Sequence, residues 1–398
     1  MNVSAEIAAR VDAYKRRFLG KRRAERWLWA GGRLWATATR PFVGNPRARI
    51  DRILVIERIL RIGDTLVARP ALALLKARFP EARLAVVCAP ALAELCGADR
   101  LVDATIVAEE GRDGFRRAAA AARAFGARRA YVLVTDRVSP WLARAAGCRE
   151  IVGYDYAGRG AALTDRRTPP PRANVPGFLY PANAAVVGAA EIWTWLVDPA
   201  APAPVAYPPF DPGDPARAAA AAFLESADFP PDSPLVILHT GAANPSYLWR
   251  DDRWVTVARA LAADGNARFV LTGGPADAGS TERLAATIGA AAVSAAGKLS
   301  LRGACALVAR ADLVVSLDTA LVHVAATMGT PVVGLYGPGD AAMWAPLGVP
   351  YRVITGETPC RECKTAACFQ DRHYCMDAIG AEDVAAAAAD LLAAKVRN

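Results

Sequence analysis

The chain has 398 residues, enough for two domains with a core each, and its 54% hydrophobic and 22% charged content is ordinary for a globular protein. No run approaches the ~18 uncharged apolar residues of a spanning helix, and no apolar signal core follows the polar first residues, so a cytoplasmic location is expected. The net charge of +9 is uneven: residues 1–48 hold eleven lysines and arginines against three acids, leaving the rest of the chain near neutral.

In chain order, the first predicted unit is that basic extension, 1–48. Between residues 10 and 40 it interleaves Phe18, Trp27, Leu28, Trp29, Leu34 and Trp35 with basic side chains such as Lys15, Lys21 and Arg26. Tryptophan beside cations suits a helix lying in the interface of an anionic membrane, here the inner face of the inner membrane. A basic arm whose aromatics pack on the body of the protein is the alternative. Nucleic acid is not expected as a partner, because neither folded half carries excess positive charge.

From residue 50, apolar runs alternate with amphipathic stretches. Strands of a buried parallel sheet are predicted over 53–56, 84–88, 105–107 and 131–135, with helices over 65–79, 91–96, 115–125 and 140–146. A Pro-rich loop or lid follows at 164–181, then a helix over 183–197 and a Pro-rich linker over 199–215. The pattern then repeats. Strands are predicted over 235–239, 268–272, 292–293, 313–317, 332–336 and 351–354, and helices over 251–263, 277–288, 300–309, 320–328 and 381–395. The expected organisation is an N-terminal domain over 49–199 and a C-terminal domain over 200–398, two facing Rossmann-like α/β halves with a cleft between them. Neither half has a G-x-G-x-x-G turn after its first strand, and no P-loop occurs, so neither a usual NAD site nor an NTPase is expected.

The stretch 310–340, ARADLVVSLDTALVHVAATMGTPVVGLYGPGD, is the most informative. Its strand ends in Asp318-Thr319, a helix follows, and a second strand ends in Gly337-Pro338-Gly339-Asp340. In such a βαβ unit ligands sit at the carboxyl ends of the strands, and helix N-terminal amides can hold a phosphate. This half reads as a site for a phosphorylated small molecule.

Two segments carry a family resemblance. ILVIERILRIGDTLVARPALALLKARFP (53–80) is similar to the opening strand, Gly-Asp turn and Pro-Ala-Leu helix of the ADP-heptose:lipopolysaccharide heptosyltransferases, glycosyltransferase family 9. The 318–337 stretch, running on to Trp344-Ala345-Pro346, resembles that family's donor motif. His239-Thr240-Gly241-Ala242, Trp249 with Trp254, and Gly273-Gly274-Pro275 add to it. The likeness covers about 50–395 and excludes the basic extension. It implies a GT-B fold, an inverting mechanism, a nucleotide-sugar donor held by the C-terminal domain, and a lipopolysaccharide-type acceptor; the basic Trp-rich extension fits an acceptor that is lipid-linked.

Inverting transfer needs a base for the acceptor hydroxyl and stabilisation of the departing diphosphate. The resemblance places the catalytic base at Asp64, in Ile62-Gly63-Asp64-Thr65; the structural alternative is a helix N-cap, where Asp ranks among the best residues. Arg58 and Arg61, in the same turn, are candidates to orient an anionic acceptor, or are simply solvated. Asp318 is expected on sugar hydroxyls, with Thr319, Ala320 and Leu321 offering amides, and Thr319 its hydroxyl, to the diphosphate. Capping is again the alternative. His323 either faces the site or packs. Thr240, Gly241, Gly273 and Gly274 are further donor-binding candidates, and Asp277 is a candidate for the ribose hydroxyls or an N-cap.

Many relatives have a basic residue before the Trp that matches Trp249; here it is Leu248. Arg250, Arg253 and Lys298 are the candidates to replace that leaving-group cation. No Asp-x-Asp motif occurs, so helix dipoles and cations are expected to stabilise the diphosphate rather than Mg²⁺ or Mn²⁺.

Finally, Cys360, Cys363, Cys368 and Cys375 fall within sixteen residues. Clustered thiols in a cytoplasmic chain suggest structural zinc or iron more than disulfides, with reduced, unliganded thiols the alternative. Cys88, Cys96, Cys148 and Cys305 lie in apolar segments and read as core. The leading expectation is transfer of heptose from ADP-heptose to a lipopolysaccharide core-type acceptor. The competing ones are another nucleotide sugar, a glycan or protein acceptor, or a scaffold that binds a sugar nucleotide without turnover.

Overall fold

The computed structural model describes Arg10 and residues 50–396, apart from 59–60, 156–159, 171–187 and 231. The expected interfacial segment 10–40 thus lies outside the described residues except for Arg10, whose guanidinium meets Asp371 at 3.1 Å. The chain divides into two compact units, and Arg10 groups with the one that runs from Val205 to the C-terminal helix. No described helix is long and apolar enough to cross a membrane.

The N-terminal unit is a six-stranded parallel sheet: β1 (Arg52–Ile56), β2 (Arg83–Cys88), β3 (Ala104–Val107), β4 (Arg129–Val132), β5 (Glu150–Tyr154) and β6 (Asp165–Arg167), in the order β3-β2-β1-β4-β5-β6. The C-terminal unit repeats the plan with β7 (Leu235–His239), β8 (Arg268–Leu271), β9 (Ala292–Ser294), β10 (Leu313–Leu317), β11 (Val332–Tyr336) and β12 (Tyr351–Thr355), ordered β12-β11-β10-β7-β8-β9. Central strands such as RILVI, LVILH and LVVSL are continuous apolar runs because helices cover both faces of a parallel sheet. Strand order reverses between β1 and β4 and between β7 and β10. Ligands of open α/β sheets bind outside the carboxyl ends of the strands at such a reversal.

Each unit has its own core. In the first, Leu54, Val87, Val132 and Ile151 from neighbouring strands pack with Ala118 and Ala122 of helix Gly111–Phe125. In the second, Leu238, Phe269, Val315 and Val333 pack with Trp254 and Leu391. Trp249 and Trp254 meet edge to face with centroids 5.0 Å apart, an arrangement favoured by the ring quadrupoles.

Several elements depart from the sequence expectation, the short helices Ala341–Trp344 and Tyr374–Asp377 among them. β6 lies inside the predicted Pro-rich loop; its residues, Asp-Arg-Arg, are an edge strand with no apolar signal, and they pair with β5 through Val152 opposite Asp165. β5 itself has only a broken apolar run, because Gly153 interrupts it, packed against the Leu163 methyls. Helix Asp214–Ser226 starts at the end of the predicted linker, and its alanine-rich sequence hides the helical period. Helix Ala189–Val197 lies within the predicted 183–197, whose first five residues are outside the described set.

A buried ion pair braces the first unit. Arg69 meets Asp99 through two contacts, 2.6 and 3.1 Å, with both side chains at most 6% exposed. Beside it Glu57, the residue after β1, is fully buried, and neither carboxylate oxygen has a hydrogen-bond partner. Glu57, Thr65, Arg69, Cys96 and Asp99 line one small cavity. Burial pushes the Glu57 carboxyl up to about 8, and the neighbouring Thr65 hydroxyl offsets only part of that.

Protonated Glu57 therefore belongs to the folded state and ionised Glu57 to the unfolded one across the window from 4.5 to about 8. Stability from this group is whole below that window and is lost as pH rises through it, by up to ~1.4 kcal/mol per pH unit. We predict that Glu57→Gln flattens the decline in unfolding free energy between pH 5 and 8 in urea titrations. An unchanged slope would show that the group is not held protonated.

Candidate functional site

In the N-terminal unit the candidate residues gather at the reversal between β1 and β4. Arg58 follows β1 and Asp136 follows β4; they join across the reversal at 3.1 Å, each side chain 17% exposed. Asp136 also accepts the amides of Val138 (2.6 Å) and Ser139 (2.9 Å) and the Ser139 hydroxyl (2.5 Å). Burial would raise its pKa, but these bonds and the Arg58 charge outweigh that and hold it below the usual carboxylate range. Arg58 is thus a fixed cation rather than the solvated loop residue of the alternative reading.

Asp64 lies in the first turn of helix Ile62–Arg78, and its Oδ2 accepts the Arg61 amide at 3.1 Å. Asp64 is therefore not the N-cap, which is Arg61; it stands two residues into the helix and caps the Arg61 amide with one carboxylate oxygen. Burial raises the Asp64 pKa, opposed by the Arg61 amide and the Arg61 charge. A half-buried carboxylate with a raised pKa and a second oxygen outside the capping bond is suited to accept a proton. Arg61 itself is exposed.

In the C-terminal unit two loops converge on Asp277. The β7 loop carries Thr240 and Gly241; the β8 loop carries Gly273 and Gly274. The Gly274 amide donates to Asp277 Oδ2 at 2.8 Å. A Cβ on Gly241 would lie 3.3 Å from Asp277 Oδ1, and one on Gly273 would collide with the Asp277 side chain at 2.6 Å. Glycine at 241 and 273 therefore lets the backbone close around this carboxylate. His239, at the end of β7, meets the Thr272 hydroxyl at 3.0 Å, and burial lowers its pKa.

The next two strands supply the second cluster. Asp318 follows β10 directly and lies against the β11 loop: a Cβ on Gly339 would fall 1.6 Å from Asp318 Oδ2. Burial, reinforced by the charge of Asp340, pushes Asp318 up to about 7. Thr319 caps helix Ala320–Met328, accepting the Leu321 amide at 3.4 Å and sharing a hydrogen bond with Ser316 at 3.2 Å. This leaves the Ala320 amide at the helix start without a capping side chain of its own. His323 is 4% exposed; its Nδ1 lies 3.0 Å from the Tyr207 hydroxyl, and its ring meets Tyr207 and Trp344 edge-on. Burial drops its pKa to about 4, so the imidazole is neutral at physiological pH. His323 packs behind the turn; it is no cation for a phosphate.

Two of the three sequence-nominated cations have other engagements. Arg250 is forked onto Asp252 at 3.0 and 2.7 Å. Arg253 donates to the carbonyls of Met376 and Ile379 and stands over the Trp249 ring. Lys298 is exposed in the loop after β9, next to Gly297, whose amide donates to the Gly273 carbonyl at 3.2 Å. Leu248 is 41% exposed.

The four clustered thiols are not arranged as a ligand set. Among the described residues no three Cys, His, Asp or Glu side chains are placed to hold a metal ion. Cys363 lies 3.2 Å from the Thr365 hydroxyl, and Cys368 donates to the Arg372 carbonyl at 3.4 Å. Burial pushes Cys375 up to about 12, with Cys360 and Cys363 adding to it. The spacing in sequence therefore corresponds to neighbouring thiols whose side chains turn to local partners.

Sequence reasoning missed Asp136, Glu57, Tyr207, Asp340 and Lys364. Lys364 meets Asp340 at 2.8 Å, across 24 residues of sequence. Asp340 had a usable signal, because it follows β11 just as Asp318 follows β10. Asp136 had the same kind of signal after β4.

Residues 119–373 match the family model of glycosyltransferase family 9 (heptosyltransferase). The chain is 28% identical over 142 residues to Lipopolysaccharide heptosyltransferase 1 of Pseudomonas aeruginosa, covering 36% of this chain and 39% of that protein. The match thus spans well under half of the curated relative's length. The fold is similar to that of E. coli ADP-heptose LPS heptosyltransferase II, with TM-score 0.70 and 22% identity over 86% of this chain and 99% of that one. It is also similar to an iron-containing dodecameric glycosyltransferase, TibC of enterotoxigenic E. coli H10407, with TM-score 0.52 and 14% identity over 88% and 79%. These likenesses assign the two parallel-sheet units to the GT-B class.

Proposed function

Because this chain belongs to glycosyltransferase family 9, we propose that it is an inverting glycosyltransferase, moving heptose from ADP-heptose to a lipopolysaccharide core-type acceptor. The observation that carries the donor half is the run of polar groups along the carboxyl ends of β8, β7, β10 and β11, with Asp318 and Thr319 at a helix start. Asp277 takes the ribose hydroxyls, beside Thr240, Gly241, Gly273 and Gly274. Asp318 takes sugar hydroxyls, and the first amides of helix Ala320–Met328 meet the diphosphate.

Asp64 acts as general base. It removes the proton from the acceptor hydroxyl while that oxygen bonds to the anomeric carbon, and the bond from that carbon to the diphosphate oxygen breaks. The electron pair leaves with the nucleoside diphosphate, and attack opposite the leaving group inverts the anomeric centre. Arg58, held by Asp136, offers its charge to a phosphorylated or carboxylated acceptor. The reaction is proposed to run without a metal at the diphosphate, and at the cytoplasmic face of the inner membrane, with residues 10–40 as the membrane contact.

Donor binding by calorimetry, with ADP-, UDP- and GDP-sugars compared, tests this reading first. ADP-heptose is expected to bind selectively, and to bind Asp64→Asn about as well as wild type, while that variant loses about 10²–10⁴-fold in transfer rate. Binding of only another nucleotide sugar replaces the donor. Binding without transfer by the wild type favours the non-catalytic scaffold, and no binding at all overturns the donor reading. For the membrane contact, the full chain is expected to co-sediment with anionic vesicles and to be released at about 1 M salt. Salt-insensitive or absent binding overturns that contact.

A separate proposal concerns the thiols. TibC is described as iron-containing, and Cys360, Cys363, Cys368 and Cys375 lie near enough here to influence one another's ionisation. Uptake of zinc or iron requires these side chains to turn from their present partners toward a common point, and its role would be structural. Elemental analysis of the purified chain is expected to find about one zinc or iron per chain, removed by replacing Cys363 and Cys375 with serine. Metal-free protein with full activity overturns it.

A further inference from the structure

The donor corner of the C-terminal unit has an unresolved charge problem. Asp318 and Asp340 are neighbouring acids, and Asp340 is 3% exposed. A diphosphate arriving beside them would meet negative charge unless a cation stands there. Arg250 and Arg253 are engaged elsewhere. Lys298 is exposed, and its loop lies on the β8 loop, where the Gly297 amide donates to the Gly273 carbonyl at 3.2 Å; that is the Asp277 side of the site, with β7 between it and β10.

Lys364 stands in the right place. Its ammonium contacts Asp340 Oδ2 at 2.8 Å, and Gly339, the residue before Asp340, lies against the Asp318 carboxylate. Its backbone is fastened to the same loop: the Lys364 amide donates to the Pro338 carbonyl at 2.8 Å, and the Glu362 amide to the Gly337 carbonyl at 2.9 Å. Both residues adopt left-handed backbone angles, φ +56° for Lys364 and +60° for Glu362. Such angles are uncommon for residues with a Cβ and are kept where surrounding contacts enforce them. On the other side, the Ser246 hydroxyl donates to the Thr365 carbonyl at 2.5 Å. The cysteine-bearing segment is therefore clasped onto the β11 loop and presents Lys364 to it. An ammonium has three N–H bonds; one is spent on Asp340, and the side chain is 36% exposed, leaving donors for a ligand.

We propose that Lys364 is the cation that contacts the diphosphate of the nucleotide-sugar donor and of the nucleoside diphosphate it releases. Asp340 is its positioning partner. As the bond from the anomeric carbon to the diphosphate oxygen breaks, the electron pair settles on that oxygen, and the Lys364 ammonium meets the new charge. This assignment rests on the donor reading above.

The experiment pairs a nucleoside diphosphate with its monophosphate. ADP and AMP are titrated into wild type, Lys364→Met and Lys364→Arg, with transfer rates measured in parallel. Wild type should prefer ADP. Lys364→Met should weaken ADP about 10- to 100-fold with AMP within about twofold, and lower kcat about 100-fold. Lys364→Arg should restore part of both. An equal loss for AMP and ADP would mean that Lys364 only braces the loop, overturning the proposal. An ADP preference that survives Lys364→Met overturns it too, while leaving the donor reading standing. A wild type that binds AMP and ADP alike, or neither, removes the donor reading and this assignment together.

Discussion

Strands in a parallel sheet all end on the same side, and the candidate acids of both units owe their places to that constraint. The loops after β1 and β4 meet in one unit, and those after β7, β8, β10 and β11 meet in the other. Side chains far apart in sequence become neighbours because their strands are hydrogen-bonded neighbours. Arg58 and Asp136 are 78 residues apart and form an ion pair across the β1/β4 reversal. The register of the central strands, Val55 opposite Tyr131 and Val315 opposite Leu238, is what aligns those loops.

On this frame the acids fall into two groups. Asp136 has a cation and amides, and its ionised form is favoured. Glu57, Asp64 and Asp318 sit where burial dominates, and their neutral forms are favoured relative to free carboxylic acids. Buried polar groups normally acquire partners, so an orphaned carboxyl such as Glu57 marks a place where the fold tolerates a cost. Asp64 and Asp318 differ in being partly accessible, which lets a ligand supply the missing partner.

Much of this was legible in the sequence because apolar runs in a parallel sheet are long and unbroken. Strands β7, β10 and β11 and helix Ala320–Met328 stand where the pattern put them. β6 escaped because an edge strand of charged residues has no hydrophobic face, and helix Asp214–Ser226 because alanine carries little periodic contrast. Asp64, Asp318 and Asp277 could be nominated from strand-to-helix turns, where a polar residue at a strand end is conspicuous. Lys364 could not, since it lies in an irregular segment whose position depends on backbone bonds to residues 337 and 338. The cysteine spacing was visible, but spacing does not reveal which way a thiol turns.

The clasp between that segment and the β11 loop has a consequence for selectivity. Ser246, in the loop after β7, is tied to residues 365 and 366, which follow the residues bonded to Gly337 and Pro338. The walls contributed by β7 and β11 are thereby coupled through a third loop and resist moving independently. A stiff wall discriminates by shape: it favours a guest already in the matching conformation and gives little to one that needs the wall to yield. Rigid nucleotide mimics should therefore gain more from this surface than flexible ones of equal charge.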